Sequence, residues 1–255
     1  NFKIDLQKEF PLLTLKKVFL KTMIGELIFF TTSCGKDRLD LEYLRECTFG
    51  KGNTIDENGE PKWTIWTDDQ KRWVKTFGDL IVNTHHTELD ENEYLPLDKS
   101  NELGFLPYCM ALSCCNLNDI ILRIKTQPKD RRLIIDYMPS RTILKETHMY
   151  PLPPCHYSVQ FYVSGNKLSC KYVMRSNDIG LGFPVNVAFY ALLTYIVAKC
   201  CDLEVGVLCG SLGDYHLYEN QVDMLKKCLD REPIDNGIKL NVKDIPINNI
   251  FDLCR

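Results

Sequence analysis

The stretch PLPPCHYSVQFYV, residues 151–163, contains a cysteine that could act as a nucleophile. Cys155 follows two prolines, and His156 begins an alternating run that is typical of a strand. Prolines restrict the backbone before the cysteine, which would present its side chain at the mouth of that strand. A thiolate held there could attack an electrophilic carbon. An ordinary loop that enters a strand has the same pattern, so this stretch alone leaves both interpretations open.

Residues elsewhere in the chain could move protons or bind anions. Glu26 lies in an apolar run, where a carboxylate is unfavourable unless it is paired or used. Arg131 and Arg132 could clamp a phosphate, although exposed arginine pairs are usually solvated. His216, in GDYHLY, is more typical of a hydrogen-bonded structural histidine. The five histidines have no HxH or HxxxH spacing, so we expect no metal site.

The composition is that of a globular protein of 255 residues, with 45% hydrophobic and 25% charged residues. Its net charge of −3 argues against nucleic acid as a partner. The 12 cysteines lack CxxC spacing, which predicts free thiols in a reducing compartment and therefore a cytoplasmic protein. We expect no membrane association, since the sequence has neither a signal peptide nor an apolar run that we read as membrane-length.

Hydrophobic periodicity predicts the elements that must position these residues. They are a buried helix over 18–30, a helix capped by Asn116 that ends before Pro128, a strand in RRLIIDYM, a hairpin of HYSVQFYV and KLSCKYVMRS around SGN, a long apolar helix in VNVAFYALLTYIVAKCCDL and a strand in VGVLCGSLGDYHLY. Residues 48–115 are rich in loop signals, with one short helix possible in DDQKRWVKTFGDLI. The pattern predicts an α+β fold.

Several motifs, in a fixed order, resemble the thymidylate synthase superfamily. They are PPCHYSVQFYV, LSC, RSNDIGLGFPVN, AFYALL and GDYHLY, preceded by FPLLTLKKVFLKTMIGELIFF, similar to the N-terminal strand and helix of that family, and by QPKDRR, similar to its arginine pair. The similarity covers most of 1–47 and 116–255. The resemblance implies a single catalytic domain over 1–255, with 48–115 divergent. It also implies a large mixed sheet, flanked by helices, that packs back-to-back in an obligate homodimer.

The resemblance implies transfer of a one-carbon unit to C5 of dUMP, with 5,10-methylenetetrahydrofolate as co-substrate and no metal. Cys155 would add to C6 of the pyrimidine, and Arg175 would lie close to it. Glu26 would be the general base, with its pKa raised by its apolar setting. Tyr108 would lie near the C5 proton, and Asp178 would hydrogen-bond the folate pterin.

The resemblance also assigns substrate-binding roles. Asn186 would pair with N3 and O4 of uracil, where cytosine-preferring relatives use an aspartate. His216 and Tyr218 would bind the 3′-hydroxyl of the sugar. Further contacts would come from Arg175 and Ser176 to the phosphate, from Arg131 and Arg132 of the partner subunit to the same phosphate, and from Lys16 and Trp66 to the folate.

Four departures from thymidylate synthases bear on the last chemical step. Met174 replaces a glutamine, and MRSND resembles the phage-type nucleotide hydroxymethylases. Phe19 occupies a histidine position, and of the family's IWxxW only Ile65 and Trp66 remain, in a register that TIDENG makes ambiguous. The arginine loop expected ahead of Asn1 and the C-terminal tail that closes over folate are outside this sequence.

Loss of a tryptophan wall would admit water to the reacting carbon. We therefore favour 5-hydroxymethyl-dUMP and tetrahydrofolate as products over dTMP and dihydrofolate. Simple repacking around Met174 is the alternative interpretation of that substitution. An inactive nucleotide-binding dimer and a cysteine hydrolase are the competing functions. The hydrolase is disfavoured, because Cys155 and His156 would point to opposite faces of a strand. A phage, with its enzyme in the host cytoplasm, would use the hydroxymethyl product to modify DNA.

Overall fold

A computed structural model describes residues 1–32, 114–137, 155–234 and 238–240. The elements in chain order are β1 (Phe2–Asp5), α1 (Leu20–Thr32), α2 (Cys114–Thr126), β2 (Ile134–Asp136), β3 (His156–Ser164), β4 (Lys167–Asp178), α3 (Gly182–Cys200), β5 (Glu204–His216), a 3₁₀ turn (Glu219–Gln221) and α4 (Val222–Leu229). The strands form one sheet in the order β1-β5-β4-β3-β2. Among the described strands, only β4 and β5 are parallel, so the predicted α+β class with a mixed sheet is confirmed.

The hairpin of β3 and β4 forms around the predicted SGN turn. Ser164 pairs with Lys167 at the end of the ladder. Gly165, between them, has a φ of 60°, a left-handed conformation that glycine adopts without a steric penalty. The turn therefore sets the register as far as Ser158, and an irregularity between Ser158 and His156 shifts it by one residue, so that His156 pairs with Met174 at the far end of the hairpin.

Helix α3 crosses over the sheet between β4 and β5, as a parallel pair requires. Alternate side chains of β4 are buried on one side of the strand, namely Leu168, Cys170, Tyr172 and Met174. The ring of Tyr172 stacks on that of Tyr190 in α3, with centroids 4.2 Å apart and planes 12° apart. The predicted apolar helix is therefore the centre of the core.

Three local predictions were wrong. The resemblance implied a strand and a helix within FPLLTLKKVFLKTMIGELIFF, but residues 10–19 contain neither helix nor strand, and β1 lies before them. Helix α2 begins at Cys114, so Asn116 lies within its first turn instead of capping it. Helix α3 is long and apolar enough to cross a membrane by length and composition, although no such run was expected. Because 72% of its apolar window is buried within the protein, α3 has the burial of a core helix.

Two predicted site residues, Trp66 and Tyr108, lie outside the described residues, as does the short helix suggested in DDQKRWVKTFGDLI. The same holds for nearly all of the divergent segment 48–115. The organisation of 1–255 as one catalytic domain stays a prediction.

In the pairing of β1 with β5, the ring of Phe2 lies close to Gly210. We therefore expect position 210 to tolerate no residue larger than glycine. A Cβ atom there would lie 2.2 Å from the ring of Phe2, and that ring is held edge-on by Tyr172 and Phe183. Gly210→Ala should therefore lower the free energy of unfolding by about 1–3 kcal/mol, as overpacking commonly does. Urea denaturation measures this change.

The matched control repeats Gly210→Ala in a Phe2→Ala background, where the colliding ring is gone. The cost should then largely disappear, since the two substitutions share one contact. An equal loss of stability in both backgrounds would rule out the ring collision as its cause.

Candidate active site

Strand directions bring most of the predicted site residues to one edge of the sheet. Strands β4 and β5 are parallel, so their carboxyl ends meet there, with Ser176 opposite Asp214 and Asp178 opposite His216. Strand β3 is antiparallel to β4 and begins at the same edge, where His156 pairs with Met174. Helix α3 starts just after β4, so Asn186 in its first turns is near this edge as well.

Cys155 and Arg175 are joined through their backbones. The Arg175 amide donates to the Cys155 carbonyl oxygen at 2.9 Å, which extends the hairpin ladder by one residue. Cys155 is partly buried. The predicted proximity of the nucleophile and this arginine is therefore present in the backbone geometry.

His156 is held on the core side of β3. Its Nδ1 lies 2.6 Å from the Tyr190 hydroxyl, and that hydroxyl donates to the Tyr137 hydroxyl at 2.9 Å. Burial lowers the pKa of His156 to about 4, so the imidazole is neutral near pH 7. With its Nδ1 engaged by Tyr190, His156 is poorly arranged to act as a base for the neighbouring cysteine, which weakens the hydrolase interpretation.

Glu26 is a carboxylate on a largely buried helix. Desolvation raises its pKa from 4.5 to about 7, as the sequence predicted for a general base. Glu26 lies one turn before Phe30 and on the same side of α1. Phe30 contacts Phe189 edge-on, with centroids 6.4 Å apart, and Phe189 contacts His156 at the same centroid separation. This chain of rings connects the Glu26 side of α1 to the start of β3.

Two amides meet the sulfur of Met174. Asn177 Nδ2 donates to Met174 Sδ at 3.0 Å, and Asn186 Nδ2 donates to the same atom at 3.4 Å. Met174 and Asn177 are each 2% exposed. The Oδ1 atom of Asn177 is buried and has no hydrogen-bond partner in the part of the chain that the structure describes. The predicted base-reading residue Asn186, itself partly buried, thus belongs to a small polar cluster at the edge of the core.

Asp178 organises the loop between β4 and α3. Its Oδ1 accepts from the amides of Gly180 and Leu181 at 2.8 and 3.1 Å, and its Oδ2 accepts from Gln221 Nε2 at 2.9 Å. Lys16 Nζ donates to the carbonyl oxygen of Gly180. Lys16 and Asp178, two of the three residues predicted to meet folate, are therefore brought together at one loop.

His216 and Tyr218 lie side by side after the sheet edge. Their rings meet edge-on with centroids 5.1 Å apart, and Tyr218 is 55% exposed. His216 Nδ1 is 3.8 Å from an Asp214 oxygen, a contact that is an ion pair only when the imidazole is protonated. The adjacent polar groups can reach one small ligand, as the predicted contact with a sugar hydroxyl requires.

Arg131 and Arg132 lie away from this edge. They precede Leu133 and β2, and the Leu133 carbonyl oxygen accepts from the Phe161 amide, about 20 Å along β3 from Cys155 at the usual rise per residue. Arg132 forms a bidentate pair with Asp130, with N–O distances of 3.0 Å. That guanidinium holds the pKa of the Asp130 carboxyl well below its usual range.

The sequence reasoning missed three polar residues of this region, Asn177, Tyr190 and Gln221. Asn177 lies between two predicted site residues in RSND, and this position could have indicated that Asn177 belongs to the site. Tyr190 and Gln221 had no local signal, because a tyrosine in an apolar helix and a glutamine before a short helix are ordinary. Their contacts with His156 and Asp178 depend on the packing of distant segments.

Comparison with known proteins agrees with this geometry. The thymidylate synthase family model matches residues 1–254. A thymidylate synthase of Francisella tularensis subsp. holarctica is 30% identical over 262 aligned positions, which cover 99% of this chain and 80% of the relative. A thymidylate synthase of Francisella philomiragia subsp. philomiragia is 29% identical over 244 positions, which cover 92% and 74%. The chain therefore belongs to the thymidylate synthase family.

Members of this family are one-carbon transferases that act on dUMP with methylenetetrahydrofolate as co-substrate. This protein is accordingly an enzyme of that class, which confirms the predicted folate-dependent transfer to C5 of dUMP. The sheet edge fits such a co-substrate. A carboxylate offers about four acceptor positions, and Asp178 uses three, so one position can accept from a pterin N–H. Leu181 beside it, at 51% exposure, offers an apolar contact.

The burial of Glu26 should make the stability of the protein depend on pH. A carboxyl whose pKa is higher in the folded state than the unfolded value of 4.5 stabilises the fold most at low pH, and this stabilisation is lost as the pH rises through 7. Glu26→Gln should therefore be more stable than the wild type at pH 8, by on the order of 2–3 kcal/mol, and nearly equal to it at pH 5. Urea unfolding at both values measures the difference.

The exposed Glu9 supplies the matched control, and Glu9→Gln should produce no comparable gain between pH 5 and pH 8. An equal effect of Glu26→Gln at the two pH values would contradict the raised pKa of that carboxyl.

Proposed function

We propose that this enzyme is a dUMP hydroxymethylase that converts dUMP, methylenetetrahydrofolate and water to 5-hydroxymethyl-dUMP and tetrahydrofolate. This reaction and the synthesis of dTMP differ only in their last step. A C5 methylene carbon that receives water becomes hydroxymethyl, whereas one that receives a hydride becomes methyl. The finer assignment therefore depends on whether the site can position a water molecule next to the base.

The observation that carries the proposal is the polar cluster around Met174. Asn177 Oδ1 is a buried acceptor without a partner among the described residues. Buried polar atoms of this kind are commonly satisfied by a bound water. Asn177 contacts the same sulfur as Asn186, the residue predicted to read the base. A water that Asn177 held would therefore lie close to the base.

The remaining residues take the roles that the family resemblance implies, and their chemistry suits those roles. We assign Cys155 as the nucleophile that bonds to C6 of dUMP and leaves it when the product forms. Arg175, whose amide bonds to the Cys155 carbonyl, would hold phosphate with Ser176 and supply positive charge near the thiolate. Glu26, with a pKa of about 7, would exchange a proton at neutral pH. Methylenetetrahydrofolate supplies the one-carbon unit.

The second candidate, thymidylate synthase making dTMP and dihydrofolate, is favoured by the names of the two Francisella relatives. An inactive nucleotide-binding dimer is disfavoured by the raised pKa of Glu26, because burying that carboxylate is unfavourable for stability in a protein that does not use it.

We propose a homodimer formed through the sheet face opposite α3. Cross-strand register aligns Lys3, Cys209, Lys171, Gln160 and Ile134 in one row on that face. Ile134 is 44% exposed there, and Tyr162 is 66% exposed. Two such faces packed together would bury these apolar side chains. The dimer would also let Arg131 and Arg132 reach the other subunit's phosphate site.

Product analysis tests the proposed reaction. Incubation with dUMP and methylenetetrahydrofolate should yield a nucleotide of hydroxymethyl mass, without the absorbance change that dihydrofolate produces. A methyl product with dihydrofolate would overturn the hydroxymethylase assignment. Asn177→Leu removes the buried polar atoms at similar volume, so it should raise the share of dTMP in the product.

Covalent trapping tests the nucleophile. Wild-type protein should form a covalent adduct with 5-fluoro-dUMP, and Cys155→Ser should form none. Cys209→Ser is the matched control, since Cys209 is also a partly buried cysteine, and it should keep the adduct. Failure of the wild type to react would favour the inactive scaffold, and an adduct that survives in Cys155→Ser would disprove this nucleophile.

Mixed dimers test the shared arginines. A Cys155→Ser chain and an Arg131→Ala/Arg132→Ala chain should each be nearly inactive alone. Co-expressed with different tags, they should regain about a quarter of wild-type activity, because half of the dimers would contain one intact site. Absence of recovery in purified mixed dimers would indicate that the arginines act within their own subunit.

A further inference from the structure

The sulfur of Met174 meets the residue that would distinguish uracil from cytosine. Met174 is 2% exposed, and its Sδ accepts from Asn186 Nδ2 at 3.4 Å and from Asn177 Nδ2 at 3.0 Å. A core methionine that only fills space would contact carbon atoms. This one accepts from two amides at the substrate edge.

The orientation of the Asn186 amide decides which base it complements. Uracil presents an acceptor at O4 and a donor at N3, so it requires the NH₂ group towards O4 and the amide oxygen towards N3. Cytosine presents a donor at N4 and an acceptor at N3, which the flipped amide would match. A freely rotating amide would therefore discriminate poorly between dUMP and dCMP.

A thioether accepts hydrogen bonds and cannot donate them. The NH₂ end of Asn186 is therefore favoured against Met174, whereas the flipped amide would place its oxygen against the sulfur and leave the NH₂ hydrogen without this acceptor. One hydrogen of the Asn186 NH₂ group is used by the sulfur, and the other can be donated to the substrate.

Asn177 restrains the sulfur itself. Methionine has three rotatable side-chain bonds and adapts its shape easily, so a single weak contact would hold Asn186 poorly. The shorter bond from Asn177 fixes the position of Sδ from a second direction. Two donors on one acceptor make the arrangement more specific than either contact alone.

We propose that Met174 is a positioning residue for base specificity, which holds the Asn186 amide in the orientation that selects dUMP over dCMP. The inference rests on the proposed function in that it takes Asn186 as the base-reading residue. In this role Met174 acts through the lone pairs of its sulfur, which accept hydrogen bonds, and not through the volume of its side chain.

Variants that separate the acceptor from the volume test the proposal. Met174→Leu keeps an apolar side chain of similar size without the acceptor, so the ratio of kcat/KM for dUMP to that for dCMP should fall about tenfold, the size of one lost hydrogen bond. Met174→Gln supplies an acceptor oxygen, and its NH₂ group can donate to Asn177 Oδ1. This variant should keep the ratio within about threefold of wild type.

Met23→Leu is the matched control, because Met23 is also 2% exposed but lies in α1, and it should leave the ratio unchanged. Asn186→Asp should favour dCMP and sets the scale of a full change in specificity. If Met174→Leu does not fold, Met174→Ile provides a second side chain without an acceptor.

An unchanged ratio in Met174→Leu, or equal losses in the leucine and glutamine variants, would overturn the proposal, since volume would then explain the effect. The 5-fluoro-dUMP adduct distinguishes this failure from failure of the proposed function. An adduct that forms while the ratio stays constant refutes only the role of Met174. A wild type that forms no adduct refutes both.

Discussion

The parallel pairing of β4 with β5 is the constraint on which the rest of this structure depends. Parallel neighbours require a crossover, and here the crossover is α3, whose apolar surface covers the sheet. The pairing also directs both strands to one edge. Because β3 is antiparallel to β4, its first residues join them, so residues far apart in sequence are neighbours there.

That edge combines an apolar core with polar groups that burial does not favour. Glu26 has its pKa raised by desolvation, and three buried polar atoms lack a partner among the described residues, namely Tyr172 Oη, Asn177 Oδ1 and Gln221 Oε1. Such groups reduce stability when nothing binds them. Two of these atoms, on Asn177 and Gln221, lie at the end of β4 and the start of α4, as a site that binds a polar ligand there would require.

Sequence patterns predicted the elements well where local and tertiary preferences agree. The SGN turn, the alternation in β3 and β4 and the apolar run of α3 each have one structure that buries their hydrophobic side chains. Predictions failed where the structure depends on where a helix begins or on a contact with a distant segment. The resemblance implied a strand within FPLLTLKKVFLKTMIGELIFF, yet β1 lies before this stretch, and the Phe10 backbone amide donates to the carbonyl oxygen of Ile238 in a distant segment. Asn116 is a good capping residue, but α2 begins two residues earlier.

The sequence by itself determined the chemistry that is available, namely a cysteine after PLPP, a carboxylate in an apolar helix, arginines in RS and RR pairs, and the order of motifs that matches the thymidylate synthase family. Only the tertiary structure decided which groups meet. It joined Asn177 and Asn186 through the sulfur of Met174, bound His156 to Tyr190, and separated the Arg131–Arg132 pair from Cys155 by the length of a strand. The physical reason is that these contacts link segments whose local sequences do not depend on one another, so they arise only when strand pairing and α3 bring those segments together.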